Sequence, residues 1–530
     1  HTGPSDYPHY GDTIKVTGRD GGRAASISRG AEQPIVWSSF PEAPHLRRIQ
    51  EGLHVNTKNS PANAALPAEV RVILTVLVGS ALVMFLNETI LSVALPSIME
   101  DFHIPATTAQ WLTTGFMLTM AVVIPATGWI LQRFTTKQVF LAAVSGFLVG
   151  TVVAAAAPTF TVLLIGRIVQ AVGTALIMPL LMTVAMTVVP ANRRGSVMGV
   201  ISIVMSVAPA LGPTVSGFIL NRLTWHWLFW LVVPLITVAL VVGAVFIRNI
   251  GETTRAPFDP PSVVLSALGF GGLVYALSTL GVDLPVALGV ALVGVLALAL
   301  FVWRQLKLET PLLDLRPFTI RNYTLSVLVA LLLMGTLLGV VMVLPIYLQT
   351  ALGVTALVTG LLLMPGGLAS GLLAPFIGRL YDRVGPRPLV IPGALLLLGA
   401  VWAMTRLDIA STITEVIAMH IVFSLGLALM MTPLMTTALG SLPQHLYGHG
   451  SAILSTLQQL AGAAGTAILI AALAFGTRAA AAGGADLAQA TADGAHTAFI
   501  VAGIMAVLVL LASPFVTRVA EEQQEEGHAA

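Results

Sequence analysis

Cysteine is absent from all 530 residues, and Lys, Arg, Asp and Glu together make up only 9% of them. Without cysteine there is no disulfide framework, no thiol nucleophile and no thiolate metal site. Soluble globular chains carry about 25% charged residues, so this chain cannot coat the surface of a soluble protein of its length. The net charge of +2 supplies no basic patch for nucleic acid. No Gly-Lys dipeptide occurs, which removes a Walker A loop and with it a nucleotide-driven pump. No group of His, Asp and Ser gathers near one membrane face, as a polytopic membrane enzyme would need. The chain is therefore not read as an enzyme, and neither a metal nor an organic cofactor is expected.

What is present is apolar sequence: 56% hydrophobic residues and a mean hydropathy of +0.89. A helix needs roughly 20 apolar residues to cross a bilayer. Such runs fall near 72–94, 107–131, 138–157, 160–188, 196–220, 226–247 and 262–281. The others are near 284–303, 323–348, 355–379, 388–405, 412–437, 450–475 and 496–518, which makes fourteen. The expected fold class is an all-α polytopic membrane protein. Basic residues test the count independently. With the N-terminus inside, the inner loops and C-terminal tail hold fourteen Lys/Arg and the outer loops three: Arg222, Arg406 and Arg478. That asymmetry follows the positive-inside rule, and an even count places both termini in the cytoplasm.

Residues 1–65 differ from the rest, with seven Lys/Arg, six Asp/Glu and no apolar periodicity. They read as a disordered tail, and without a continuous apolar core they are not a secretory signal. Residues 519–530 read as a short acidic tail. Between the tails the sequence repeats. Leu95-Pro96 recurs as Leu344-Pro345 at offset 249, and Pro125 with Gly128 recurs as Pro375 with Gly378 at offset 250. The offset spans eight expected helices, so the chain divides into six, two and six. These are a bundle at 66–250, two inserted helices with a linker at 251–310, and a second bundle at 311–518. Parallel six-helix halves are a known transporter design.

Four segments carry a resemblance to a known family. Leu86 through Pro96 is similar to a first-helix motif of the fourteen-helix drug:proton antiporter branch of the major facilitator superfamily. That motif usually has Asp where Asn87 stands; here the acid is Glu88. Gly166-Arg167 through Gly173 resembles its fourth-helix motif. Ala208 through Gly217 resembles the antiporter motif of the fifth helix, with Gly212, Pro213 and Gly217 matching. Gly378 through Arg387, including Asp382 and Arg383, resembles the inner-loop motif. Its first-half copy, Gly128 to Lys137, has Gln132 in place of the Asp. The resemblance covers about residues 70–518 and extends to the lincomycin-efflux type. It implies a major facilitator fold and a bacterial multidrug exporter of the cell membrane, working by alternating access.

The chemistry starts from ionisable groups inside spans, because an ionised residue in lipid costs at least a few kcal/mol and so faces a cavity or a partner. Glu88 and Arg167 are the clear cases. Each lies about seven residues from the outer end of its helix, roughly 10 Å deep at about 1.5 Å rise per residue. A carboxyl in a low-dielectric cavity is a proton carrier, and a nearby cation opposes its protonation. Proton loading and substrate binding would then compete at Glu88, with the proton as coupling ion and Arg167 holding or releasing the acid. A structural Glu–Arg pair is the plainer alternative. Asn87, Gln170, Gln458 and Gln459 are candidate polar residues of a substrate cavity, or simply interhelical amides. Glu415 and His420 form a possible second titratable site, with an interfacial Glu and a packed His as the alternatives. Gly212 and Pro213 allow close approach and a bend in the fifth helix. The expected partners are a small-molecule substrate, protons and the lipid bilayer, with the protein a monomer. The leading reading is a proton-coupled exporter of amphipathic or cationic compounds; an exporter of one metabolite, polyamine or lipid is the alternative.

Overall fold

The computed structural model describes residues 67–250, 253, 257–280 and 283–518. The tails expected at 1–65 and 519–530 lie outside the described residues. Six helices come first: α1 (Ala68–Phe102), α2 (Trp111–Arg133), α3 (Thr136–Ala155), α4 (Phe160–Val188), α5 (Arg194–Leu220) and α6 (His226–Phe246). Two follow, α7 (Pro260–Thr279) and α8 (Leu284–Gln305). The last six are α9 (Arg321–Thr350), α10 (Ala356–Val384), α11 (Arg387–Met404), α12 (Ile413–Gly440), α13 (Tyr447–Ala482) and α14 (Leu487–Ala512). Among the described residues, thirteen helices are long and apolar enough to cross a membrane. α5, a helix of 27 residues, stands beside them; counting it as a span gives the fourteen expected from sequence.

Apolar runs place the helices, and caps set their ends. Thr135 and Thr412 open α3 and α12 with capping boxes to Gln138 and Glu415, which satisfy free backbone N–H groups in the first turn. Two ends differ most from the hydropathy reading. α1 runs on past 94 to Phe102 and stops where His103 turns left-handed at φ 54°. α14 starts at Leu487 rather than 496, because Asp486 accepts the Gln489 N–H (2.8 Å) and caps the polar first turns. Hydropathy detects what faces lipid, whereas caps continue a helix into polar surroundings.

α1–α6 and α9–α14 form two bundles that meet along two seams, α5 against α10 and α2 against α13. The repeat is visible in space. Pro190 and Pro443 precede matching 3₁₀ turns, Ala191–Arg193 and Gln444–Leu446, at the base of α5 and α13. The start of α1 and the end of α6 meet through Glu69 and Arg248 (3.3 Å). The start of α9 meets the segment after α14, where Asn322 Oδ1 accepts the Thr517 N–H (3.1 Å). The face carrying these ends is called the terminal face below. The inserted α7 and α8 pair through glycines: a Cβ on Gly269 would lie 3.1 Å from the Leu298 backbone nitrogen, and one on Gly294 3.1 Å from that of Leu273.

Candidate functional site

Arg167 on α4 is 1% exposed, an extreme burial for a guanidinium. Its Nη1 donates to Asn87 Oδ1 on α1 (3.1 Å) and to Gln170 Oε1 one turn along α4 (2.9 Å). Gln170 Nε2 donates in turn to Thr151 Oγ1 on α3 (2.8 Å), and Thr151 donates to the Phe147 carbonyl (2.7 Å). The guanidinium lies over the Phe116 ring of α2, 4.2 Å from its centroid. Its Nε has no hydrogen-bond partner among the described residues. Four helices therefore converge on one cation. Glycines make this possible: Cβ atoms on Gly150 or Gly166 would lie 2.6 and 2.8 Å from backbone nitrogens of the facing helix, so α3 and α4 touch closely enough for Thr151 to reach Gln170.

Glu88 is half-buried beside this cluster and feels the Arg167 charge. It makes no hydrogen bond or ion pair among the described residues, so a direct Glu88–Arg167 pair is not formed. The next residue, Thr89, donates to the Ala208 carbonyl of α5 (3.1 Å). A Cβ on Gly212 would lie 2.2 Å from Thr89 Oγ1, so the α1–α5 crossing requires glycine there. Pro213 and the half-buried Gly217 follow in α5. Sequence reasoning placed Glu88 and Arg167 at one depth but missed Thr151 and Thr89, which carry no motif signal of their own.

A second constellation joins the bundles at the terminal face. The Asp382 carboxylate, near the end of α10, accepts the Gly195 N–H (2.7 Å) and Ser196 N–H (2.8 Å) at the start of α5. The Ser196 hydroxyl donates to the same carboxylate. An anion on free N–H groups at a helix N-terminus is favourable both as hydrogen bonding and as dipole interaction. The contact needs two glycines, because a Cβ on Gly378 would lie 2.0 Å from the Gly195 carbonyl oxygen. Around it, Thr183 and Ser451 hydroxyls meet at 3.0 Å, Thr432 donates to Ser202 (2.9 Å), and Arg194 lies over the Tyr447 ring (5.5 Å). Toward the opposite face the polar contact between bundles is looser, Thr214 Oγ1 to Met364 Sδ at 3.8 Å. The halves are thus latched at the terminal face. Arg383 lies exposed in the last turn of α10.

The remaining candidates are scattered. Gln458 on α13 is buried with Nε2 unpartnered among the described residues, and Gln459 is half-buried; neither bonds to the Arg167 cluster. Glu415 is exposed and caps α12, with its carboxylate accepting the Thr412 N–H (2.8 Å). His420 is buried at the α10–α12 crossing, where a Cβ on Gly366 would lie 2.7 Å from its ring. The structure does not bring Glu415 and His420 together.

Residues 77–466 match the family model described as Major Facilitator Superfamily. The chain is 41% identical over 440 residues to the lincomycin resistance protein LmrB of Listeria monocytogenes serovar 1/2a, covering 82% of this chain and 93% of that one. It is 38% identical over 478 residues to LmrB of Bacillus subtilis, covering 88% and 99%. It is also 29% identical over 391 residues to the multidrug resistance protein B homolog of Mycobacterium tuberculosis H37Rv, 72% of each. The human organic anion transporter MFSD10 (TETRAN) shares the fold, with a TM-score of 0.63 at 16% identity over 84% of this chain and 99% of that one. A double Trp mutant of XylE does likewise, at TM-score 0.63 and 16% identity over 88% and 99%. Apolar helices, two latched bundles and these likenesses agree: the chain is a membrane transporter that belongs to the Major Facilitator Superfamily.

Proposed function

We propose that this transporter is a proton-coupled antiporter that exports amphipathic or cationic organic compounds by alternating access. One observation carries the coupling: Glu88 is an acid inside a membrane helix, half-buried and without a hydrogen-bond or ion-pair partner among the described residues, beside an Arg167 already committed to Asn87 and Gln170. An acid so placed can take up a proton without breaking an ion pair, while the fixed positive charge of Arg167 favours its release. A cationic substrate would compete for the same carboxylate. The Thr89–Ala208 bond and the Gly212 crossing connect the residue beside Glu88 to α5, which is also the helix capped by Asp382. A change of charge at Glu88 therefore acts on the helix that holds the latch.

In this reading α5 is a fourteenth span, the terminal face is cytoplasmic, and the protein works as a monomer with no cofactor but the proton. Asn87, Gln170, Gln458 and Gln459 are assigned to the wall of the substrate path, the first two through their hold on Arg167. The names of the LmrB relatives make lincomycin the first compound to test. In proteoliposomes, a pH gradient should drive substrate accumulation by the parent protein and not by Glu88→Gln. Equal gradient-driven accumulation by both would remove Glu88 from coupling.

A further inference from the structure

The two seams between the bundles are not built alike. At the α5–α10 seam the Asp382 carboxylate caps the helix start at Gly195 and Ser196. At the α2–α13 seam the repeat places Gln132 where that carboxylate would be. There the close contact is between Gly128 and His449: a Cβ on the glycine would lie 2.6 Å from His449 Nδ1. Nδ1 accepts a hydrogen bond from the Asp314 N–H (3.2 Å), which belongs to the linker after α8.

That linker is held from two sides at adjacent residues. The Leu313 N–H donates to Gln305 Oε1 at the end of α8 (3.2 Å), and Gln305 Nε2 donates to Ser262 at the start of α7 (2.7 Å). Arg304 of α8 also forks onto Asp259 before α7 (2.8 and 3.0 Å). Leu312 and Leu313 are buried, and Arg316 pairs with Asp314. Two adjacent backbone N–H groups, those of Leu313 and Asp314, thus join the inserted pair to α13 of the second bundle.

The pair itself is attached to the first bundle along the length of α2. Near the opposite face the Trp111 and Tyr275 rings lie 6.0 Å apart. In the middle, a Cβ on Gly271 would lie 3.1 Å from Val122. At the terminal end Trp129 Nε1 donates to the Pro257 carbonyl (3.1 Å) and its ring lies 5.2 Å from Phe258. Gly271 closes a π-helical stretch, Ala267–Gly271, at the point where α7 meets both α2 and α8. Later turns of α7 also rest on α13, so α7 covers the α2–α13 seam.

We propose that α7 and α8 move as part of the first bundle, and that the Leu313–Asp314 peptide with His449 is a strap that must release for the terminal face to open on this seam. The proposal rests on the alternating-access reading. A chain without cysteine makes the test direct, because introduced pairs are its only thiols. Three double variants are joined with a short thiol cross-linker, and transport is measured before cross-linking, after it, and after reduction. Asp314→Cys with His449→Cys should cross-link and lose transport by about tenfold or more, restored by reductant. Trp111→Cys with Tyr275→Cys should cross-link and keep transport. Ser196→Cys with Asp382→Cys joins the other seam and tests alternating access alone.

Loss only with the 314–449 and 196–382 links supports the strap. Full transport by the linked 314–449 protein, with the 196–382 link blocking, overturns it and leaves alternating access standing. Failure of the 314–449 pair to link overturns it too, since the contact would then not form in the membrane. Loss of transport with the 111–275 link contradicts the assignment of the pair to the first bundle. Full transport with both the 314–449 and 196–382 links would instead refute alternating access itself.

Discussion

Arg167 donates to Asn87, not to its acidic neighbour Glu88. One residue along a helix is about 100° of rotation, so the two side chains of α1 face different surroundings. The cation is held by neutral amides, and the acid has no fixed partner among the described residues.

Asn87→Ala should therefore cost more than the loss of one polar contact. It strands a buried Arg167 donor, and leaving such a group unmet costs about 1–3 kcal/mol or more when charged. The expected outcome is a lower unfolding temperature in detergent, together with reduced transport. Asn87→Asp keeps the acceptor and adds an ion pair, so it should fold well but alter the pH dependence of transport. A pH profile unchanged from the parent would argue against electrostatic coupling between this position and the proton site.

Asp382→Asn keeps the shape of the latch and removes its charge. Helix-terminus interactions are worth about 0.3–2 kcal/mol, which shifts a two-state equilibrium by about 1.7-fold up to roughly thirtyfold. The variant should populate the state open at the terminal face. Labelling of a single cysteine introduced at Ser451, which the closed state buries, should speed up accordingly. Unchanged labelling would mean that Asp382 does not hold the bundles.

The glycines divide into two groups. Gly378→Ala puts a methyl group 2.0 Å from a backbone oxygen at the α5–α10 seam, whereas Gly79→Ala meets nothing within 4 Å. Overpacking against backbone costs about 1–3 kcal/mol, while a free helical Gly→Ala gains up to about 1 kcal/mol. Thermal unfolding in detergent should drop for the first variant and hold or rise for the second.

Much of this was legible in the sequence, and the limits are physical. Apolar runs and basic loops marked the helices, because hydropathy reports lipid exposure and charge reports sidedness. Glu88 and Arg167 were placed at one depth, since helical rise converts residue number to height. Rotation about the helix axis was not legible, so Asn87 rather than Glu88 as the arginine's partner had to come from the structure. Long-range partners were equally hidden: nothing near Asp382 points to Gly195, or near His449 to Asp314. The offset repeat did give two six-helix halves, and Gln132 marked the place where the first half's copy of the inner-loop motif lacks its acid.

Asp314 lies outside the spans, and its carboxylate offers a pH test of the ion pair with Arg316 that holds the linker. Burial pushes its carboxyl up, but the hydrogen bonds and charge of Arg316, with the nearby His449, outweigh this and hold it below its usual 3.8. A depressed carboxyl stabilises the fold above the ordinary carboxylate range and loses that contribution as pH falls through its own titration. Because Arg316 is largely exposed, the effect should be no more than about 1 kcal/mol. Asp314→Asn should lower the unfolding temperature equally at about pH 7 and about pH 5.5, with the gap closing only below about pH 4. A gap that closes between the two higher values would place the titrating group elsewhere.

The central claim is that Glu88 carries the proton that substrate displaces. The direct measurement is proton release from purified protein in weakly buffered detergent solution on addition of lincomycin or a cationic compound that it exports. The parent should release protons on binding, and Glu88→Gln should bind the compound and release none. Release of the same size from Glu88→Gln would contradict the assignment.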